Sequence, residues 1–110
     1  MSFFNSDIVR SEMEEIIKLQ EIIYENVFKF PFMFLEDKKN HINVLQNLLE
    51  KQKVLYTRLS LSEDPEAKIM KENIIQSTIE MGLPKNVDMN TLFNKMSEIV
   101  ELMKSQIGET

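Results

Sequence analysis

Apolar positions along this 110-residue chain recur every three or four residues over long stretches. That is the period of one helical face, and no run alternates with period two as a half-buried strand would. In the first segment Val9, Met13, Ile16, Gln20, Ile23, Val27 and Phe30 form one stripe, which Ile17, Leu19 and Ile22 widen. Asn5 is the expected N-cap, Asp7 complements the positive end of the helix dipole, and Phe4 is placed to staple Val9. Pro31 should end this helix, because the residue before a proline is pushed out of the helical region. A second helix is expected from near Glu36 and Asp37 to Leu61. His41, Leu45, Leu48, Gln52, Leu55 and Leu59 lie on its stripe, flanked by Ile42, Leu49 and Tyr56.

Start and stop signals define two further helices. Asp64 before Pro65 and Glu66 marks a third start, and Gly82 is a C-terminal cap ahead of Leu83 and Pro84. Met70, Ile74, Ile75, Thr78 and Met81 should face a core. Asp88 caps a fourth helix, with Val87 stapling Leu92. Its stripe reads Met89, Leu92, Met96, Ile99, Met103 and, one position out of step, Ile107, with Phe93 and Val100 alongside, and the residues from Gly108 on should fray. The expected architecture is all-α and a single domain over 1–110: a long antiparallel hairpin plus two helices, bundle-like and dimeric.

The hairpin seam, or a dimer seam built from the same residues, is expected at Ile16, Gln20, Ile23, Leu48, Gln52 and Leu55. Gln20 and Gln52 interrupt their stripes; such residues usually lie at a seam's edge, and the alternative is that they fix register or oligomeric state. Between the two long helices runs an apolar connector, Pro31, Phe32, Met33, Phe34 and Leu35. The first expectation is that it folds back to plug the end of the hairpin. The alternative is an exposed partner-binding tip formed by Phe32, Met33, Phe34 and Leu35.

Composition narrows the chemistry. Without cysteine the chain has no disulfide, thiolate metal site or cysteine nucleophile. The N-terminal residues carry neither the basic region nor the apolar run of a secretory signal, and no apolar stretch is long enough to span a bilayer, so a cytoplasmic location is expected. Eighteen acidic against thirteen basic residues give a net charge of −5, which disfavours non-specific attraction to phosphate backbones. Lys38, Lys39, Lys51, Lys53 and Arg58 gather in one segment, and Glu12, Glu14, Glu15, Glu21 and Glu25 in another. Solvated or mutually neutralising helix faces are the expected outcome.

His41 is the single histidine. On a helical stripe it is expected to be a partly buried packing residue rather than a catalyst, since no glycine-flanked serine elbow accompanies it. The glutamates of the first helix lack the Glu-x-x-His spacing of bundle di-metal sites and read as a solvated face. No phosphate loop, calcium loop or dinucleotide fingerprint occurs. Eight methionines, five of them Met70, Met81, Met89, Met96 and Met103, are expected to be core, with an adaptable binding groove as the alternative. Neither enzyme activity nor a cofactor or metal is expected.

The opening residues 3–9 (Phe-Phe-Asn-Ser-Asp-Ile-Val), the stretch 55–64 (Leu-Tyr-Thr-Arg-Leu-Ser-Leu-Ser-Glu-Asp), and Phe93, Asn94, Lys95 and Met96 with Met103 and Lys104 carry a resemblance. Over nearly its whole length the chain resembles a small all-helical family of unknown function from cyanobacteria and the viruses that infect them. The resemblance implies a protein of viral or cyanobacterial origin acting in the cytoplasm of a cyanobacterial cell, and it carries over no active site. The leading functional expectation is a non-enzymatic helical adaptor or regulator that binds another protein and forms a homodimer, with no membrane association. A transcription- or nucleic-acid-associated factor using the lysines of the second helix is the alternative, and a minimal enzyme built around His41 is a third.

Overall fold

The computed structural model describes residues 3–80, 82, 85 and 88–108. Four α-helices account for most of them, and no strand occurs among the described residues. A 3-10 turn at Phe3–Asn5 leads into α1 (Asp7–Asn26); a second, at Phe30–Phe32, leads into α2 (Leu35–Leu61); α3 (Pro65–Glu80) and α4 (Met89–Gly108) follow.

The N-cap of α1 is Ser6 rather than Asn5. Its hydroxyl accepts from Val9 N at 3.5 Å, and Phe3 to Asn5 wind into the preceding turn. The α1 helix also ends one turn before the proline. In an uninterrupted helix the residue at 31 would donate to the Val27 carbonyl, which proline cannot do and against which its ring clashes. The chain therefore leaves the helix after Asn26, whose side-chain amide donates to Ile22 O at 2.7 Å.

The expected caps of α3 and α4 are present. Asp64 Oδ1 accepts from Glu66 N at 3.0 Å, and Asp88 Oδ1 from Asn90 N at 3.2 Å. Gly82 takes φ +103°, a left-handed conformation open to glycine at little cost, and its N–H bonds Ile79 O at 2.9 Å. Met81, Leu83, Pro84 and Val87 lie outside the described residues.

Helix α2 is the spine. Its 27 residues make a rod about 40 Å long. Helices α1 and α4 make the most extensive contacts with it, α3 makes fewer, and α1 and α4 touch one another little. Two apolar clusters result. Ile16, Ile23 and Leu48 join α1 to α2, with Leu19, Val44, Leu45 and Leu55 against them. Ile42, Leu49, Met89, Phe93 and Val100 join α2 to α4, with Ile74 and Ile75 of α3 closing one side. Salt bridges brace the α1–α2 edge: Lys51 Nζ to Glu15 Oε2 at 2.6 Å and Arg58 Nε to Glu12 Oε1 at 2.8 Å. The basic and acidic segments neutralise each other there.

Helix α4 packs through its expected stripe at Met89, Leu92, Met103 and Ile107 and through the flanking Phe93 and Val100, whereas Ile99 is exposed and Met96 is 38% exposed. Val27, Ile17 and Ile22, expected on or beside the α1 stripe, are also exposed. With α2 the main partner of both flanking helices, only a narrow face of each is covered. The molecule is accordingly open, 49 × 32 × 21 Å, with a Cα radius of gyration of 15.8 Å. A compact chain of this length would have about 13 Å.

Candidate functional site

Three places carry side chains not consumed by the fold: a chamber over the middle of α2, the connector at the α1–α2 tip, and His41.

The chamber lies where α1, α3 and α4 each pack on α2 while α1 and α4 touch one another little. It has a volume of about 380 Å³. Met13 and Ile16 of α1, Leu55 and Tyr56 of α2, Met70 and Ile74 of α3, and Met89, Phe93 and Met96 of α4 form its walls, and Phe3 and Phe4 close one end. Phe3 and Phe4 meet edge to face at 5.1 Å. The 3-10 turn that carries them is held across the chain by Phe3 N, which donates to Asp64 Oδ2. Asp64 thus caps α3 and anchors the N-terminal turn. The two stretches most specific to the family resemblance, at the N-terminus and at 55–64, meet at this carboxylate.

Gln20 and Gln52 are the chamber's two amide side chains. Both are half-buried. From Gln52 and Met96 a shallower extension of about 170 Å³ continues along α2 and α4 past Leu45, Leu48, Ile99 and Met103. Chamber and extension form one apolar trough. Of the six expected seam residues, Ile16, Ile23 and Leu48 lie buried between α1 and α2, with Leu55 packed on them. Gln20 and Gln52 face the trough instead. Four of the eight methionines line the chamber: Met13, Met70, Met89 and Met96. The sequence placed Phe4 as a staple on Val9 and Phe3 within the stretch that carries the resemblance, and nothing local marks either as a chamber wall.

The tip corrects the expected plug. Phe32 is 89% exposed and Phe34 83%, Leu35 is exposed as well, and Met33 is half-buried. A 3-10 turn eclipses residues three apart. Phe30 and Met33 therefore share the sheltered side, while Phe32 and Phe34 project away from it. It is Phe30, one residue before the connector, that turns inward, against the core and against His41 at 5.2 Å between ring centroids. Phe28, 88% exposed, joins the projecting group and was missed because it sits one position off the α1 stripe.

His41 is buried, and its Nδ1 has no partner among the described residues. Desolvation holds its pKa below the usual 6.5. No Ser or Thr hydroxyl bonds it among the described residues; the hydroxyls of Thr57, Thr78 and Ser105 bond backbone carbonyls of their own helices. No group of three or more His, Asp or Glu among the described residues is placed to hold a metal ion. Among the described residues, no helix is long and apolar enough to cross a membrane.

Compared with known proteins, residues 1–107 match the family model of a domain of unknown function (DUF1825). No curated protein and no solved structure matches the chain.

Proposed function

We infer that this chain, which belongs to that family, is a non-enzymatic helical interaction module that presents the α1–α2 tip to another protein, as an adaptor or regulator inside a cyanobacterial cell. The observation that carries the reading is the exposure of Phe28, Phe32 and Phe34 within seven residues at one end of the hairpin. Isolated exposed apolar side chains are ordinary, but three projecting phenylalanines at one turn are not.

Charge favours a protein partner over an anionic one. Between residues 24 and 40, Lys29, Lys38 and Lys39 are balanced by Glu25, Glu36 and Asp37, so the tip has no basic field to attract phosphate. Of the five cations that would serve a nucleic-acid role, Lys51 and Arg58 are engaged by carboxylates of α1, which leaves that reading less supported. Burying the three rings would contribute about 2 kcal/mol each, roughly 6 kcal/mol in all. That is comparable to the cost of immobilising two molecules, so the tip alone supports a weak, reversible contact rather than a permanent one.

The test is an affinity pull-down of the tagged protein from cyanobacterial lysate at low and moderate salt, with Phe32→Ser/Phe34→Ser alongside. A protein retained at moderate salt and lost in the double variant is the expected result. The same proteins recovered with both forms would remove the tip from the account, and binding that vanishes with modest salt and copurifies nucleic acid would favour the alternative.

A further inference from the structure

We propose that the solvent-facing flank of α1, from Glu14 to Phe28, docks a basic amphipathic helix of a partner protein. This deepens the interaction reading and rests on it, since it states the chemistry of the partner. The surface is not the connector, and the two share only Phe28.

Spacing is the first argument. Ile17, Tyr24 and Phe28 recur at intervals of seven and four residues, and Glu14, Glu21 and Glu25 repeat those intervals three residues earlier. Residues three apart are neighbours on a helix surface, so each apolar side chain has a carboxylate beside it. Phe28 lies in the turn that follows α1, where Val27 keeps helical dihedrals of φ −59° and ψ −41°. All six side chains are exposed, Ile17 by 51% and Tyr24 by 68%. They lie off the side that α1 buries through Val9, Ile16 and Ile23. An apolar row with an acidic row alongside thus runs for about 21 Å along the helix.

Charge is the second. Ion pairs among the described residues use Glu12, Glu15 and Glu98, and none of these three carboxylates. Residues 14–28 hold four glutamates and one lysine, Lys18. Lys51 neutralises Glu15, and the remaining three glutamates against Lys18 leave an excess of two negative charges. That field attracts cations. It repels nucleic-acid phosphate, and it repels a second copy of this chain, whose net charge is −5.

The other exposed apolar positions carry no such sign. On α4, Met96, Ile99 and Leu102 stand among Lys95, which pairs with Glu98, and Glu101 and Lys104, which both bond Gln46. Val54 and Leu61 of α2 stand among Glu50, Lys53 and Arg58, a mixture of signs. Ile8, Ile22 and Ile69 have no exposed large apolar residue three or four positions away on their helices.

Geometry makes the occupant a helix. The backbone groups of α1 bond within α1, so there is no edge to which a strand could add, and a second helix repeats its side chains at the same rise per residue. Lysines or arginines at intervals of seven and four beside an apolar stripe meet all three carboxylates at once.

The experiment is fluorescence anisotropy on the full chain with two labelled helical peptides of about 18 residues, one with a leucine and phenylalanine stripe flanked by lysines, the other with glutamates in their place. The variants are Glu14→Gln/Glu21→Gln/Glu25→Gln, Tyr24→Ser and Phe32→Ser/Phe34→Ser. Glu50→Gln/Glu72→Gln/Glu80→Gln removes the same charge from other exposed positions, and circular dichroism follows helicity. The lysine peptide should bind and the glutamate peptide should not. Affinity should fall about tenfold in the α1 triple variant and in Tyr24→Ser at unchanged helicity, and it should weaken as salt rises. The second triple variant and the tip variant should stay within about twofold of the wild type. Absence of binding by the wild type, full binding by Tyr24→Ser or equal losses in the two triple variants would overturn the proposal, the last by showing only a general attraction to an acidic protein. Binding lost in the tip variant alone would also overturn it and leave the connector reading in place.

Discussion

Replacing Ile42 by alanine probes the joint on which the whole arrangement depends. Ile42 is 0% exposed and sits among Leu49, Met89, Phe93 and Val100, where α2 and α4 meet. The substitution removes three carbons, about 2.4 kcal/mol of transfer free energy at 0.8 kcal/mol per methylene. With a term for the cavity left behind, the expected loss is about 3–4 kcal/mol. A chain of this length unfolds with an entropy of about 0.23 kcal/mol per kelvin near its midpoint, so Tm should fall by about 13–17 °C. Ile42→Val, one methylene smaller, should cost about 1 kcal/mol and roughly 4 °C. Ile69→Ala, on an exposed position of α3, should stay within about 0.5 kcal/mol. Urea unfolding followed at 222 nm gives the free energies and a thermal scan gives Tm. A loss below about 1 kcal/mol for Ile42→Ala would refute the packing of α4 on α2. The trough, whose far wall is α4, would fall with it.

The pH dependence of stability should carry a signature of His41. Its folded pKa lies below 6.5, so the unfolded chain binds the proton first and stability falls as pH drops below 6.5 toward the folded value. His41→Phe should flatten the urea midpoint between pH 7 and 5, and an equally steep slope in that variant would show that other groups set it. Asp64→Ala removes both the cap of α3 and the anchor of Phe3, with an expected cost of about 1–2 kcal/mol. Hydrogen exchange should then rise at the first turn of α3 and at residues 3–6 together; a rise at α3 alone would mean that the N-terminal turn is held by its phenylalanines and not by this carboxylate.

The helices were written locally, and so were most of their ends. Asp64 and Asp88 act on amides two residues away, Gly82 supplies its own positive φ, and Pro31 disrupts a bond four residues back. Each signal acts within a turn of its own position, so one sequence suffices to read it. Ser6 against Asn5, and the end of α1 a turn before the proline, are errors of the size expected when two neighbouring residues compete for one cap.

What the residues could not state was how many neighbours each helix would have. Periodicity identifies an apolar face, but its breadth does not say whether a helix, a cavity or solvent lies against it. The stripe of α4 ran in step from Met89 to Met103, yet packing on α2 buried the flanking Phe93 and Val100 and left Ile99 outside. The five apolar residues of the connector were equally compatible with a plug and a tip. Which face of the 3-10 turn met the core decided it: Phe30 packs against the core and Phe32 is exposed. The sequence by itself determined four helices, their limits to within about a turn, and the absence of cysteine chemistry. Tertiary structure alone decided the trough, the projecting phenylalanines and the meeting of Phe3 with Asp64, because these depend on the relative placement of segments up to sixty-one residues apart.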